Sequence, residues 1–121
     1  PEKFIDHSHS IALLAIANQP QAEEICKSIF GDRLGIVSYV MPGFDLAIAA
    51  IKEYERASEK LKSVDKNLEG LILLNHGIFT FCETAKGSYE HMINYVSTAE
   101  EYIKIIHLIL TLTQKALLQN M

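Results

Sequence analysis

The sequence predicts an α/β layered domain with a sheet in the middle, and three observations carry that prediction. Apolar, β-branched runs alternate along the chain with segments whose apolar residues recur at helical spacing. The order reads β-α-α-β-α-β-β-α, with no repeat and no low-complexity tract. The composition is that of an average globular chain: 121 residues, 49% hydrophobic and 21% charged. That length suits one domain over residues 1–121, with a core only just large enough to be self-sufficient.

Each element has its own signal. Phe4–His9 alternates imperfectly and reads as a short strand. Ser10 can cap a helix over Ile11–Ala17, which Asn18-Gln19-Pro20 stops. Ala22, Ile25, Cys26, Ile29 and Phe30 mark a second short helix, with Glu23 and Glu24 at the positive end of its dipole and Gly31-Asp32 closing it. Leu34–Val40 reads as a strand ended by Met41-Pro42-Gly43. Phe44, Ala47, Ile48, Ile51 and Tyr54 predict the buried stripe of a third helix, whose Glu and Lys residues over 52–62 form a solvated face. Leu68–Leu74 and Ile78–Cys82 read as neighbouring strands or a hairpin around Asn75-His76-Gly77. The last third is one long helix whose stripe runs from Ala85 through Tyr89, Met92, Val96, Ala99, Ile103, Ile106 and Leu110 to Leu117. Beyond residue 104 the opposite face is apolar as well, through Ile105, Leu108, Ile109 and Leu112, so two faces need cover, from a partner subunit or a further domain.

Charge and cysteine usage exclude several function classes. Fifteen acidic against eleven basic residues give a net charge of -4, the wrong sign for binding a phosphate backbone, so no nucleic-acid partner is expected. No apolar run reaches the roughly 18–20 residues of a membrane span, and Pro1-Glu2-Lys3 does not open a signal peptide. Cys26 and Cys82 are far apart and outside any C-x-x-C pair, which fits reduced thiols in a cytoplasmic chain. Cys26 reads as a core packer, and Cys82, at a strand end beside the candidate site, as a possible extra ligand.

Three of the five histidines sit where chemistry could use them. His7 and His9 are an H-x-H pair, and residues i and i+2 of a strand share a face. His76 lies in a tight link at a strand end, on the rim of the sheet. Three imidazoles and a water would make the open tetrahedral site of a catalytic zinc. Two solvated histidines on a surface strand and one ordinary turn residue are the alternative. His91 and His107 fall in the long helix and read as surface or interface positions.

Three blocks in order carry a family likeness: Phe4-Ile5-Asp6-His7-Ser8-His9, then Tyr39 to Ala47 around Met41-Pro42-Gly43-Phe44, then Gly70 to Phe81 around Asn75-His76-Gly77. With the helix start Glu83–Glu90, they resemble the class II aldolase/adducin family, and within it the aldolase part of bifunctional rhamnulose-1-phosphate aldolase/short-chain dehydrogenase proteins. The resemblance runs from Phe4 to about Ile103. It implies a partial three-layer α/β/α domain with a long C-terminal helix, and a divalent metal, Zn2+, held by His7, His9 and His76. It implies a sugar-phosphate substrate, with retro-aldol cleavage of a ketose 1-phosphate to dihydroxyacetone phosphate and an aldehyde, and a homo-oligomer, often a tetramer. Relatives epimerise or dehydrate sugar phosphates, and adducin uses the fold as a non-catalytic assembly module. In the family the acid–base glutamate and the phosphate-binding segments lie upstream of the H-x-H pair, and only six residues precede His7 here. The sequence therefore reads as the C-terminal portion of such a domain, with no residue assigned to acid–base catalysis or substrate binding.

Overall fold

The computed structural model describes residues 2–121; Pro1 lies outside it. The element order is as expected: β1 (Phe4–Ser8), α1 (Ile11–Ala17), α2 (Ala22–Phe30), β2 (Leu34–Val37), α3 (Phe44–Lys62), β3 (Gly70–Leu73), β4 (Gly77–Cys82) and α4 (Ala85–Gln119). The strands are shorter than their apolar runs. β2 stops at Val37 because β3, its partner, stops at Leu73, and a bond from Leu74 N–H to the Val37 carbonyl closes the ladder.

One four-stranded sheet runs in the order β1-β4-β3-β2. β1 pairs antiparallel with β4, β3 pairs antiparallel with β4, and β2 runs parallel to β3 across the α3 crossover. On one face α1, α2 and α4 bury Leu13, Ile16, Cys26, Phe30, Met92, Tyr95 and Ala99 against Ile72 and Ile78. On the other, α3 buries Leu46, Ala57 and Leu61 against Val37, Leu71, Leu73 and Phe81. This is the three-layer α/β/α architecture. α3 packs on β2 and β3 and reaches β4 through Tyr54, whose ring meets Phe81 edge-on at 5.5 Å. β1 stays open on that face, and Ile5 is 64% exposed.

Caps follow the sequence signals. The Ser10 side chain accepts from Leu13 N–H, and the Thr84 side chain from Gly87 N–H. The buried stripes of the two long helices differ in part from the expected ones, keeping Tyr54 in α3 and Met92, Val96, Ala99 and Ile103 in α4. In α3 the inward residues are Leu46, Ala57 and Leu61, while Phe44 and Ile51 point outward; small residues, Ala49, Ala50 and Ala57, let the helix approach the sheet. In α4 the stripe is Ser88, Met92, Tyr95 and Ala99, and Tyr89 is exposed. Ser88 can be fully buried because its polar groups are all engaged. Its hydroxyl donates to Asp6 Oδ2 at 2.6 Å, and its carbonyl accepts from the buried Thr80 hydroxyl at 2.9 Å. That staple ties α4 to both β1 and β4.

Glu53 departs from the solvated face expected of residues 52–62. It turns inward, accepts from Ile36 N–H on the sheet's outer edge at 3.3 Å and from Arg56 at 2.7 and 2.9 Å. Burial pushes its carboxyl up, but the Arg56 hydrogen bonds and charge, with the Ile36 N–H, outweigh that and hold it below the ordinary glutamate value. His91 is likewise no free surface residue: its Nδ1 meets the Phe81 carbonyl at 3.1 Å and its Nε2 meets Glu69 at 3.1 Å. Glu69 also accepts from the buried Tyr95 hydroxyl at 2.7 Å, so this cluster pins α4 to the start of β3. Beyond Ile103, α4 leaves the body. Ile105, Leu108, Ile109, Leu110, Leu112, Leu117 and Leu118 are each more than half exposed.

Two outcomes follow. Ser88→Ala removes the donor that Asp6 faces and should cost about 1–3 kcal/mol in urea denaturation. Glu53 is depressed in the folded state, so its contribution is complete above the ordinary glutamate range and is lost as pH falls through its lower folded value. Stability measured against pH should therefore show wild type and Glu53→Gln converging below that range.

Candidate metal centre

His7 and His76 are 69 positions apart in sequence and are brought together by one pairing. β1 runs antiparallel to β4 with Ser8 opposite Ile78, so the end of β1 meets the β3–β4 turn. His9 sits one residue beyond β1, just before the Ser10 cap of α1. The turn carrying His76 depends on two special residues. Asn75 adopts φ 63°, a left-handed conformation that asparagine tolerates. Gly77 adopts φ 157°, and a Cβ there would lie 2.6 Å from the Ser8 carbonyl oxygen and 3.2 Å from both His7 Cε1 and His9 Cδ2. Only a glycine lets the two imidazoles close over that position. The Asn75 N–H also bonds the Ala17 carbonyl at 3.3 Å, joining the turn to the end of α1.

The three rings converge. His7 and His9 stand edge to face at 4.6 Å, His9 and His76 at 5.1 Å, and His7 and His76 lie stacked at 5.6 Å. One ring nitrogen from each lies within 4.8 Å of those from the other two, and His7 Nε2 and His9 Nε2 are 2.7 Å apart. Among the described residues this is the one group of three or more His, Cys, Asp or Glu able to share an ion. His7 Nδ1 lies 2.8 Å from the Ile78 carbonyl oxygen. A carbonyl can only accept, so Nδ1 carries the proton and Nε2 turns its lone pair toward the other rings. The face of His7 stacks on Phe79, centroids 4.0 Å apart and planes 12° from parallel.

Burial, and then the neighbouring His9 and His7, push the His76 imidazole below the ordinary histidine value, which favours its neutral, metal-binding form. The donor set fits a first-row divalent ion. Three neutral imidazoles suit zinc, whose tetrahedral sites have Zn–N near 2.0–2.1 Å and ligand nitrogens about 3.3 Å apart. His7 and His9 are solvent-exposed and His76 half-buried, so a fourth position would face solvent. Asp6 does not join them; its side chain points to the opposite face, toward Ser88.

The other candidates lie elsewhere. Cys82 is at the far end of β4 from His76, opposite Phe4, which corrects its expected place beside the site: β4 runs away from the turn. Cys26 is buried in the core as expected, and burial pushes its thiol up to about 11. His107 is exposed on the projecting part of α4. A groove of about 670 Å3 follows the outer edge of β2 between Lys27 and Arg56, at the opposite edge of the sheet from β1. Gly77 frees the backbone of the turn as its place beside His76 suggests; sequence reasoning missed Phe79 as a support of His7, and the one signal for it is its position in the strand facing His7.

Similarity to known proteins bears on the whole arrangement. Residues 2–103 match the family described as Class II Aldolase and Adducin N-terminal domain. The chain is 30% identical over 103 residues to the uncharacterized oxidoreductase YuxG of Bacillus subtilis (strain 168), covering 85% of this chain and 14% of that protein. It superposes with TM-score 0.64 and 35% identity on the N-terminal class II aldolase domain of a conserved protein from Thermoplasma acidophilum, covering 85% of this chain and 43% of that one. An aldolase II superfamily protein from Pseudomonas syringae shares the fold at TM-score 0.56 and 20% identity, over 84% of this chain and 38% of its own. The chain thus spans less than half the length of each of these relatives. With residues 2–103 matched and the three-layer fold shared, the chain belongs to the class II aldolase and adducin N-terminal domain family.

Proposed function

We propose that this chain is the metal-carrying portion of a class II aldolase-type active site, with His7, His9 and His76 holding one divalent ion, Zn2+. The convergence of three ring nitrogens within 4.8 Å, on a rim open to solvent, is the observation that supports this most directly. An assembly scaffold has no use for three convergent imidazoles at these points. The reaction proposed is retro-aldol cleavage of a ketose 1-phosphate to dihydroxyacetone phosphate and an aldehyde. A divalent ion bound there supplies a Lewis acid for the substrate's carbonyl and hydroxyl oxygens and for the negative charge that carbon–carbon cleavage develops. The chain's own residues hold the geometry. His7 keeps its proton on Nδ1, against Ile78, and leaves the lone pair of Nε2 directed at the other rings, while Gly77 lets the rings of His7 and His9 approach the turn. The open face beside β1 leaves room for a substrate at these rings.

The reading extends to the longer protein. A relative named an oxidoreductase, of which this chain matches only 14%, fits the aldolase part of a protein that joins aldolase and dehydrogenase domains. The projecting apolar end of α4 supports a homo-oligomer, a tetramer by likeness to the family, and the acidic balance and reduced thiols support a cytoplasmic setting without nucleic-acid partners. Sugar-phosphate epimerisation or dehydration uses the same scaffold and would show as product without carbon–carbon cleavage.

Purified without a histidine tag or added metal, the chain should carry about one zinc by elemental mass spectrometry. His76→Ala should lose most of that metal with an unchanged circular dichroism spectrum; unchanged metal content would remove His76 from the ligand set and favour the adducin-like assembly module. Gly77→Ala should also lower metal content, because its Cβ displaces His7 and His9. Light scattering should find a species larger than the monomer, reduced toward the monomer by Leu108→Lys with Leu112→Lys.

A further inference from the structure

We infer that Phe79 is a positioning residue for the metal ligand His7. The inference rests on the metal-site reading above and adds to it which ligand is fixed before the ion arrives, and by what. Phe79 sits directly opposite His7 in the β1–β4 register. The two rings lie face to face, 12° from parallel with centroids 4.0 Å apart. The hydrogen bond from His7 Nδ1 to Ile78 fixes one ring atom but leaves the ring free to tilt about it. The Phe79 face removes that tilt. Phe79 is itself half-buried among the residues that α3 packs on the sheet, so it is a stiff support.

Among the described residues, the aromatic contacts of His9 and His76 are to His7 and to each other, and neither stacks on a phenyl ring. The 2.7 Å between His7 Nε2 and His9 Nε2 is shorter than the roughly 3.3 Å separating two ligand nitrogens on a tetrahedral zinc. Accepting an ion therefore requires movement, and it falls to His9, because His7 is held on two sides. The stacking is also coupled to ligation. An imidazole that gives its lone pair to a cation becomes electron-poor, and the negative face of the Phe79 ring stabilises it more than it stabilises the free ring. Loss of the ring should thus weaken binding and alter the ligand field, whereas loss of mere bulk would lower stability alone.

The test is titration of the metal-free chain with Co2+, followed by its visible d–d absorption, beside urea denaturation of each metal-free protein. Phe79→Leu keeps apolar bulk and removes the ring; Phe79→Tyr keeps the ring; Phe79→Met replaces the leucine variant if that one does not fold. The expected result is about tenfold weaker Co2+ binding and a shifted spectrum for the leucine or methionine variant. The tyrosine variant should match wild type in both. A leucine or methionine variant that binds Co2+ as tightly as wild type with the same spectrum would overturn the inference while leaving the metal site standing. Wild type that takes up no Co2+ would overturn the metal site and the inference with it.

Discussion

The antiparallel pairing of β1 with β4 is the interaction on which the rest of the site depends. It sets Phe4 against Cys82 and Ser8 against Ile78, and so distributes the two faces of a five-residue strand. Asp6 and Ser8 look toward α4, and Ile5 and His7 toward the α3 side. A slip by one residue would exchange those faces, turning Asp6 from Ser88 and His7 from Phe79. The Ser88–Asp6–Thr80 staple holds the register from one side, and the His7–Phe79 stack with the Nδ1 bond to Ile78 holds it from the other. β1 itself is short, mostly exposed and at the sheet's edge, so these cross-links matter more than its own burial.

The layers explain where the site can be. Two clusters of apolar side chains, one under α1, α2 and α4 and one under α3, cover most of the central strands; Ile72 and Ile78 have no exposed surface. The outer strand β1 is left open on the α3 side, and the histidines are at its end. Polar groups that enter the layers do so in satisfied sets, Ser88 with Asp6 and Thr80, Glu69 with His91 and Tyr95, Glu53 with Arg56 and Ile36. Among the described residues no buried side-chain nitrogen or oxygen lacks a partner. The three imidazoles differ from these sets in that their remaining ring nitrogens converge on one another at the rim.

Much of this was legible in the sequence because local signals and periodicity carry it. The eight elements, the Ser10 cap, the burial of Cys26 and the candidate histidines could all be read from residue types and spacing. What could not be read depends on register and rotation. The α4 stripe keeps Met92, Val96, Ala99 and Ile103 but adds Ser88 and Tyr95 in place of Tyr89, since hydropathy disfavours a buried Ser88, which Asp6, 82 positions away, makes possible. Phe44 and Ile51 looked like core residues, but the alanines of α3 set a closer approach on another face. Glu53 and His91 read as surface residues because their partners, Ile36 N–H and Glu69, are on other elements. Cys82 is six positions from His76, and the six-residue strand β4 runs away from the turn and carries it to the far end.

Three histidines from two distant segments of the chain converge at the end of β1, where one ion could join them. X-ray absorption spectroscopy of the zinc-loaded chain tests it most directly, since multiple scattering from imidazole rings counts histidine ligands. The expected shell is three imidazole nitrogens at about 2.0–2.1 Å, completed by one oxygen. A shell containing sulfur, or one built of oxygen with fewer than three imidazoles, would contradict it.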